Sequence, residues 1–362
     1  MDEELIMEIK DILPLSPLQK GLLFQMLYDT QGSDAYQVQQ VFQLDGELDS
    51  EKLKQAATTL LARHPHLSAG FEYESVDTPV QLILSGLDLP WREHDLSGLV
   101  PPEREQAFAT LLESDYDERF TPDAPPLLRF TLVKFSPQQH FLIFTNHHLL
   151  LDGWSVPVLL QEFFTLYSED ASGLTLPPAV PYRDYLQWVT SRNEDEMRAV
   201  WRDALHELDA PTLVAKGRVT ENLEPNLLHK KMDAARTQQL NQCARQLGIT
   251  VNTLLQGAWG VLLGEMTGRN DVVFGITVSG RPGELPGVER VVGLLINTVP
   301  LRLNFSLAET FTSLLQRLQA EQTRLLDYQY LDLTTIQTDA GYGNLFDTLM
   351  VFENYPLIEQ DS

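Results

Sequence analysis

The stretch that decides the fold reads Asn-His-His-Leu-Leu-Leu-Asp-Gly-Trp-Ser and covers residues 146–155. It closes an apolar run and contains an Asp-Gly pair, which is typical of a strand that turns into a helix. Because side chains alternate across a strand, His147 and His148 are predicted to point to opposite faces. One imidazole can then be held inside the protein while the other faces a cleft. A neutral imidazole is well suited to move a proton near pH 7.

These residues also have plainer interpretations. A histidine at a strand end is often a core residue with satisfied hydrogen bonds, and His148 followed by Asp152 can be half of a metal site. No glutamate or third histidine lies nearby in the sequence, so we predict no metal. Asp152 is predicted to order the loop by pairing with a buried arginine, and Arg281 is our candidate. A solvent-facing arginine in a turn is the alternative for Arg281.

The flanking sequence predicts alternating strands and helices. A hairpin of strands 127–135 and 140–146, with a turn at 136–139, leads into the motif, and a helix over 154–167 follows it. Serine and proline at residues 16 and 17 predict the start of the first helix. The remaining predictions before residue 171 are strands at 36–44 and 80–84 and helices from Asp49 to about Pro65 and over 101–117.

A proline-rich stretch over residues 171–181 predicts a linker, after which the pattern starts again. We therefore expect two α/β lobes, over residues 1–175 and 176–362. The helix over 251–266 is nearly apolar on all sides and is predicted to be buried. The other predictions for the second lobe are helices over 182–206, 234–247 and 307–328 and strands over 272–278, 298–303 and 345–353.

Composition excludes several classes of protein. The 362 residues include 26 Lys and Arg against 51 Asp and Glu, a formal charge of -25. This charge argues against a nucleic-acid reader and against docking on an anionic membrane. The single cysteine, Cys243, excludes an internal disulfide and a cysteine-rich zinc site. We find no signal peptide and no apolar run near the roughly 20 residues that span a bilayer, and we expect a cytoplasmic protein.

Other catalytic patterns are missing from the sequence. It contains neither a Gly-x-Ser-x-Gly elbow nor a glycine-rich phosphate loop after a strand. The paired histidines therefore stand as the one constellation that predicts chemistry.

At this point the chain resembles the condensation domains of nonribosomal peptide synthetases, which belong to the chloramphenicol acetyltransferase-like superfamily. Seven stretches resemble the family's motifs in the family's order. They lie at residues 13–24, 63–71, 147–153 (His-His-x-x-x-Asp-Gly), 182–188, 292–302, 328–333 and 346–356.

The resemblance implies two α/β lobes arranged as a V-shaped pseudo-dimer, with the active site in a tunnel between them. It implies peptide-bond formation, in which an aminoacyl or peptidyl thioester on an upstream carrier domain is attacked by the amine held on a downstream carrier. Phosphopantetheine on the carriers bears both substrates, and the domain itself is expected to bind no cofactor. Adenylation and epimerisation domains are the implied neighbours, and an antibiotic or siderophore is the implied kind of product.

The resemblance also assigns roles to particular residues. His148 corresponds to the active-site histidine, either as a base or by holding the amine in line. His147, Asp152 and Arg281 correspond to supporting residues, the last two as an ion pair. The residues expected along the substrate tunnel are Gly153, Trp154, Ser155 and Asn297.

The opening Leu-Ser-Pro-Leu-Gln-x-Gly-Leu-Leu-Phe, residues 15–24, resembles the subtype with a D-configured donor and an L-configured acceptor. Two features depart from the family. Ser68 stands where arginine is usual, and the chain ends at Ser362, before the strands and helix that we expect to complete the second lobe. The alternatives are a freestanding thioester-dependent acyltransferase, a non-catalytic domain that recruits carriers, and an epimerisation domain.

Overall fold

The fold is described from a computed structural model, for residues 8–28, 34–168, 176–215, 226–306 and 308–353. Several predictions fall partly outside these residues. They concern the amino terminus, positions 171–175 of the linker, the start of the helix predicted at 307, and positions 354–356 of the seventh motif.

Backbone contacts divide the described residues into two units. The first unit contains residues 8–192 and 281–296, and the second contains 193–280 and 297–353. The chain thus enters the second unit, returns to the first for one segment, and leaves again. This division differs from a single boundary after residue 175, because 176–192 and 281–296 both pack with the first unit.

The first unit alternates strands and helices. Its elements are β1 (Glu8–Pro14), α1 (Pro17–Tyr28), β2 (Gln37–Asp45), α2 (Ser50–Arg63), β3 (Ala69–Glu72), β4 (Val80–Ser85), β5 (Trp91–Asp95), α3 (Pro101–Asp117), β6 (Leu128–Ser136), β7 (Gln139–His147), α4 (Ser155–Ser168) and α5 (Tyr182–Thr190). Short 3-10 turns cover Pro65–Ser68 and Val288–Arg290. The helices α1 to α4 and the strands β2 and β4 confirm the predictions, whereas β1, β3 and β5 were missed.

A four-stranded sheet, in the order β2-β7-β6-β5, carries the motif. The predicted hairpin is present as β6 and β7, which pair antiparallel and extend into the predicted turn. Even-numbered positions of the hairpin, such as Phe130 and Phe144, join the main core of the unit. Odd-numbered positions, such as Val133 and Ile143, form a second cluster with partly buried side chains of α3. The sheet is therefore covered on both faces, which explains why the strands are apolar almost throughout.

The second unit contains one small sheet and five helices in its described part. These are α6 (Glu194–Ala204), α7 (Ala234–Leu247), α8 (Val251–Thr267), β8 (Asp271–Val278), β9 (Asn297–Asn304), α9 (Phe311–Leu325), α10 (Leu333–Asp339) and β10 (Leu349–Met350), with a 3-10 turn at Leu326–Tyr328. The sheet order is β10-β8-β9, with β8 antiparallel to β9 and parallel to β10. The helices α7 to α9 and the strands β8 and β9 were predicted.

Three predictions for these elements are wrong. The helix predicted over 182–206 ends at Thr190 and restarts at Glu194, because the Asn193 side chain accepts a hydrogen bond from the Glu196 N–H and caps a new helix. The strand predicted over 345–353 shrinks to Leu349–Met350, and α10 was missed.

The third wrong prediction is that α8 is buried all round. Its buried positions include Gly257, Gly260 and Gly264, whereas Leu262 and Met266 are 47% and 56% exposed. The glycines allow close approach of neighbouring elements: a Cβ built at Gly260 would lie 2.5 Å from the Leu303 side chain on β9. Close contact at the glycines, rather than burial of the largest apolar side chains, therefore decides which face of α8 is covered.

Two of the helices bear on membrane insertion. In the residues that the structure describes, no single helix is both long and apolar enough to cross a bilayer. Helices α7 and α8 reach that length and composition when taken together, but they meet at a bend of 95°.

Helix α8 gives a test of this packing. A Cβ at Gly264 would lie 2.7 Å from the Arg269 carbonyl oxygen and 2.4 Å from the Phe305 ring, so Gly264→Ala should lower the free energy of unfolding by about 1–3 kcal/mol. Gly21→Ala, at an exposed position of α1 with open space around the new methyl group, should instead gain up to about 1 kcal/mol from helix propensity. Urea unfolding measures both changes. An equal gain in the two variants would contradict the packing described for α8.

Candidate functional site

The paired histidines lie where β7 ends. His147 is the last residue of the strand and pairs with Gln37 on β2. His148 follows, and its N–H donates to the Tyr36 carbonyl oxygen at 2.9 Å. Leu149, Leu150 and Leu151 are buried, and α4 begins four residues after the last of them. The strand and the helix thus hold the loop between them at both ends.

His147 is sealed in the protein, with no exposed surface. Its Nδ1 accepts a hydrogen bond from the Leu149 N–H at 3.0 Å, and its Nε2 lies 3.3 Å from Oδ2 of Asp34. Because Nδ1 is the acceptor, the proton of the neutral ring is on Nε2. This arrangement agrees with the prediction that His147 is a supporting residue.

His148 is the partly exposed member of the pair. Burial lowers the pKa of His148 below its ordinary value, and a hydrogen bond from the ring to the Leu151 backbone and the charge of Asp152 oppose that shift in part. The imidazole is therefore neutral near pH 7 and has a lone pair that can accept a proton or hold an amine.

Asp152 and Arg281, which we predicted to form an ion pair, are in contact in the structure. Nη1 of Arg281 lies 2.9 Å from Oδ2 of Asp152 and Nη2 lies 3.0 Å from Oδ1, so the contact is bidentate. The side chain of Arg281 is 6% exposed and that of Asp152 is 0% exposed. Both residues belong to the first unit, because Arg281 begins the segment that returns to it.

The Asp152 carboxylate also binds backbone groups of two segments. Its Oδ1 accepts from the Ser155 N–H at 2.9 Å and the Ser155 hydroxyl at 2.8 Å, which caps the start of α4. Its Oδ2 accepts from the N–H of Leu295 at 3.0 Å and of Ile296 at 3.3 Å. Asp152 therefore joins the motif loop to residues 293–296 as well as to Arg281.

The residues after Asp152 have different surroundings. Gly153 and Trp154 are half-buried. The Trp154 indole N–H donates to the Glu289 carbonyl at 3.1 Å, and the Arg281 guanidinium lies 5.5 Å from its ring centroid. Trp154 thus packs over the ion pair as well as facing the surface.

Ser155, which the family resemblance places along the substrate tunnel, is held by the motif loop and the Gly293 segment. Its side chain is fully buried. Its hydroxyl donates to Asp152 or to the Gly293 carbonyl, each at 2.8 Å, and accepts from the Gly293 N–H at 3.0 Å. The structure gives this hydroxyl a bridging role between the motif and the Gly293 segment.

Asn297 lies at the start of β9 in the second unit and is 2% exposed. Its Nδ2 donates to the carbonyl oxygens of Gln329 and Leu331, both at 2.8 Å. This amide therefore holds β9 to the segment that follows α9.

Sequence reasoning missed three residues that build the site. Asp34 contacts His147, Tyr36 accepts from the His148 N–H, and the Gly293 carbonyl accepts from the Asp152 N–H at 3.0 Å. Gly293 has a φ of 156°, and a Cβ there would lie 2.4 Å from the Tyr182 ring. The Val-Gly step in the fifth motif gave a signal for Gly293, whereas Asp34 and Tyr36 are distant in sequence and gave none.

The described residues hold no cluster of three or more His, Cys, Asp or Glu side chains that could bind a metal ion.

Comparisons with known proteins identify the family. The condensation domain profile matches residues 9–362, so the chain belongs to the condensation domains, as the motifs predicted. It is 36% identical over 98% of its length to a protein of the linear gramicidin synthase of Brevibacillus parabrevis, and 32% identical over 98% to bacitracin synthase 3 of Bacillus licheniformis. The chain spans 5% and 6% of those two proteins. Both are nonribosomal peptide synthetases.

Solved structures confirm the fold. The first condensation domain of the calcium-dependent antibiotic synthetase matches with a TM-score of 0.74 at 20% identity, over 97% of this chain and 82% of that one. The cyclization-docking bidomain EpoB from Sorangium cellulosum matches with a TM-score of 0.77 at 20% identity, over 95% of this chain and 71% of that one. The predicted class, two α/β lobes of the condensation domain fold, is confirmed.

The buried ion pair gives a prediction about stability. Asp152→Asn keeps the shape of the side chain but leaves the Arg281 charge buried without its carboxylate. It should lower the free energy of unfolding by about 3–5 kcal/mol. The control is Glu118→Gln, whose side chain pairs with Arg92 at 48% and 43% exposure and should cost less than about 1 kcal/mol. Equal stability of the two variants in chemical denaturation would refute the structural role of the Asp152 pair.

The pKa of His148 predicts a dependence of stability on pH. Because this pKa is lowered in the folded state, the unfolded chain takes up the proton first as the pH falls below 6.5. The contribution of His148 to stability should therefore become increasingly unfavourable from pH 6.5 down to the folded pKa and level off below it. His148→Gln should make the free energy of unfolding fall less steeply just below pH 6.5. An NMR titration of the His148 ring with a midpoint at or above 6.5 would contradict this prediction.

Proposed function

We propose that this condensation domain forms amide bonds in nonribosomal peptide synthesis, with His148 at the reacting centre. The observation that carries the proposal is the ordered motif loop. In that loop a neutral, partly exposed imidazole is next to a sealed histidine and is anchored by the buried Asp152–Arg281 pair. Family membership indicates the reaction, and the geometry indicates the residue.

The proposed substrates are two thioesters on phosphopantetheine arms, one from an upstream carrier domain and one from a downstream carrier domain. The acceptor amine attacks the carbonyl carbon of the donor thioester. A C–N bond forms, the C–S bond breaks, and the donor arm leaves as a thiol. The proton lost by the amine ends on the leaving sulfur or in solvent, so the step needs no redox partner.

The task of the imidazole follows from the acidity of amines. An α-amino group has a pKa of about 7.7–8.0, so a large part of the acceptor is protonated near pH 7. A neutral His148 can accept the proton that the attacking nitrogen loses, or hold the free amine in line by a hydrogen bond. Thioesters are already activated acyl donors, and orientation alone can supply about 7–11 kcal/mol of a barrier in well-aligned systems.

Further parts of the proposal rest on the family and on the opening motif. We expect neighbouring adenylation and epimerisation domains, a cytoplasmic setting, no cofactor held by the domain itself, and neither nucleic acid nor membrane as a partner. The stretch at residues 15–24 supports a D-configured donor and an L-configured acceptor.

The test uses loaded carriers. His148→Ala should reduce the formation of the carrier-bound amide by about 10²–10⁴-fold, the range that acid–base groups contribute, with the melting temperature nearly unchanged. His94→Ala, at an exposed histidine on β5, is the matched control and should keep the wild-type rate. Mass spectrometry of the carrier-bound products reports both, and an unchanged yield in His148→Ala would reject the assignment.

The same assay tests the subtype. Donors of D and L configuration are loaded on the upstream carrier and offered in turn with one L acceptor. We expect faster product formation from the D donor, and a preference for the L donor would reject the subtype while leaving the reaction itself in place.

A further inference from the structure

Asp34 lies three residues before the start of β2 and is 4% exposed, which is unusual for a carboxylate. Its two oxygens are directed at two different partners. Oδ1 accepts from the Tyr36 N–H at 2.9 Å, and Oδ2 lies 3.3 Å from Nε2 of His147. Neither contact involves the Asp152 network, so this is a second buried carboxylate with its own structural task.

Tyr36 and His147 in turn hold the backbone next to His148. The Tyr36 carbonyl accepts from the His148 N–H at 2.9 Å. Nδ1 of His147 accepts from the Leu149 N–H at 3.0 Å. The amide groups immediately before and after the His148 α-carbon are thus both tied, through one intermediate residue each, to the same carboxylate.

The contacts require one tautomer of His147. Nδ1 can accept from the Leu149 N–H only if it carries no proton. The neutral ring is therefore protonated on Nε2, the atom that faces Asp34. An ionised Asp34 is the acceptor that stabilises this form. Although burial acts to raise it, the pKa of Asp34 is lowered by its contact with the His147 ring, by the hydrogen bond from the Tyr36 N–H and by the charge of Arg119. Nη2 of Arg119 lies 3.6 Å from Oδ2.

We propose that Asp34 is a positioning residue for His148. Its carboxylate fixes His147 as the Nε2–H tautomer and, through His147 and Tyr36, holds the backbone on both sides of the reacting imidazole. The effect on rate rests on the function proposed above, whereas the effect on the tautomer does not. A small displacement of His148 is enough to matter, because a misplacement of about 1 Å can cost about 10²-fold in rate.

The first variant is Asp34→Asn in the full chain. If its amide oxygen keeps the bond to the Tyr36 N–H, its NH₂ group faces the Nε2–H of His147, and two donors oppose each other. We expect ¹⁵N NMR of the His147 ring to show loss of the Nε2–H tautomer. We also expect kcat to fall about 10- to 100-fold, with little change in the apparent KM for the loaded carriers. Asp34→Glu keeps a carboxylate and should retain the tautomer.

The control is Glu162→Gln. Glu162, on α4, is a second buried carboxylate that bonds a histidine: its Oε2 lies 2.6 Å from Nε2 of His64 and 2.8 Å from Nε of Arg63. This variant should lower the melting temperature but leave the His147 tautomer and kcat at their wild-type values. It separates loss of a buried carboxylate in general from loss of the one beside the motif.

A double-mutant cycle tests the route. If Asp34 acts through His147, adding Asp34→Asn to His147→Ala should reduce kcat much less than Asp34→Asn does alone. An Nε2–H tautomer that survives in Asp34→Asn, a wild-type kcat in that variant, or additive losses in the cycle would each overturn the proposal. If the wild-type chain forms no amide at all, the proposed function fails, and the tautomer of His147 in Asp34→Asn still decides for or against the positioning role.

Discussion

The Asp152 carboxylate is the constraint on which the site depends. A fully buried charge is costly unless it is paired and hydrogen-bonded, and this one is matched by the Arg281 fork, the Ser155 N–H and hydroxyl, and two backbone N–H groups. The bonds tie the motif loop to the segment at 281–296, which returns from the second half of the sequence. The loop between β7 and α4 can have one conformation because its carboxylate has one place in which all its hydrogen bonds are made.

The ordered loop determines the position of His148 and the surroundings of its ring. The strand fixes its N–H on Tyr36, and the sealed His147 fixes the following amide. The His148 side chain is partly exposed, and the burial of the rest of the ring lowers its pKa and keeps the imidazole neutral. In the proposed reaction the donor is an activated thioester, so positioning and one proton acceptor count for more than strong electrostatic stabilisation. The ordered loop and the neutral His148 imidazole agree with that requirement.

The sequence was informative where pattern and chemistry are local. The His-His-x-x-x-Asp-Gly spacing, the hairpin before it and the helix after it were all predictable, because alternation and turn residues act over a few positions. Arg281 could be chosen as the partner of Asp152 because it lies just past a predicted strand and because the family resemblance implies an ion pair of these two residues. The Asn193 cap is also a local signal, three residues before Glu196, but the apolar periodicity that runs through it predicted one continuous helix. The glycine face of α8 and the contact of Asp34 with His147 depend on packing between distant segments, which periodicity does not encode.

The central claim is that the His148 imidazole takes part in acyl transfer. The most direct measurement is the single-turnover rate of amide formation between two loaded carriers, followed across pH in the wild-type chain and in His148→Ala. We predict that the wild-type profile has an acid limb with a midpoint below pH 6.5 in addition to the one set by the acceptor amine, whose pKa is about 7.7–8.0, and that the variant loses both the rate and this additional limb. A variant that keeps the wild-type rate and the same acid limb would contradict it.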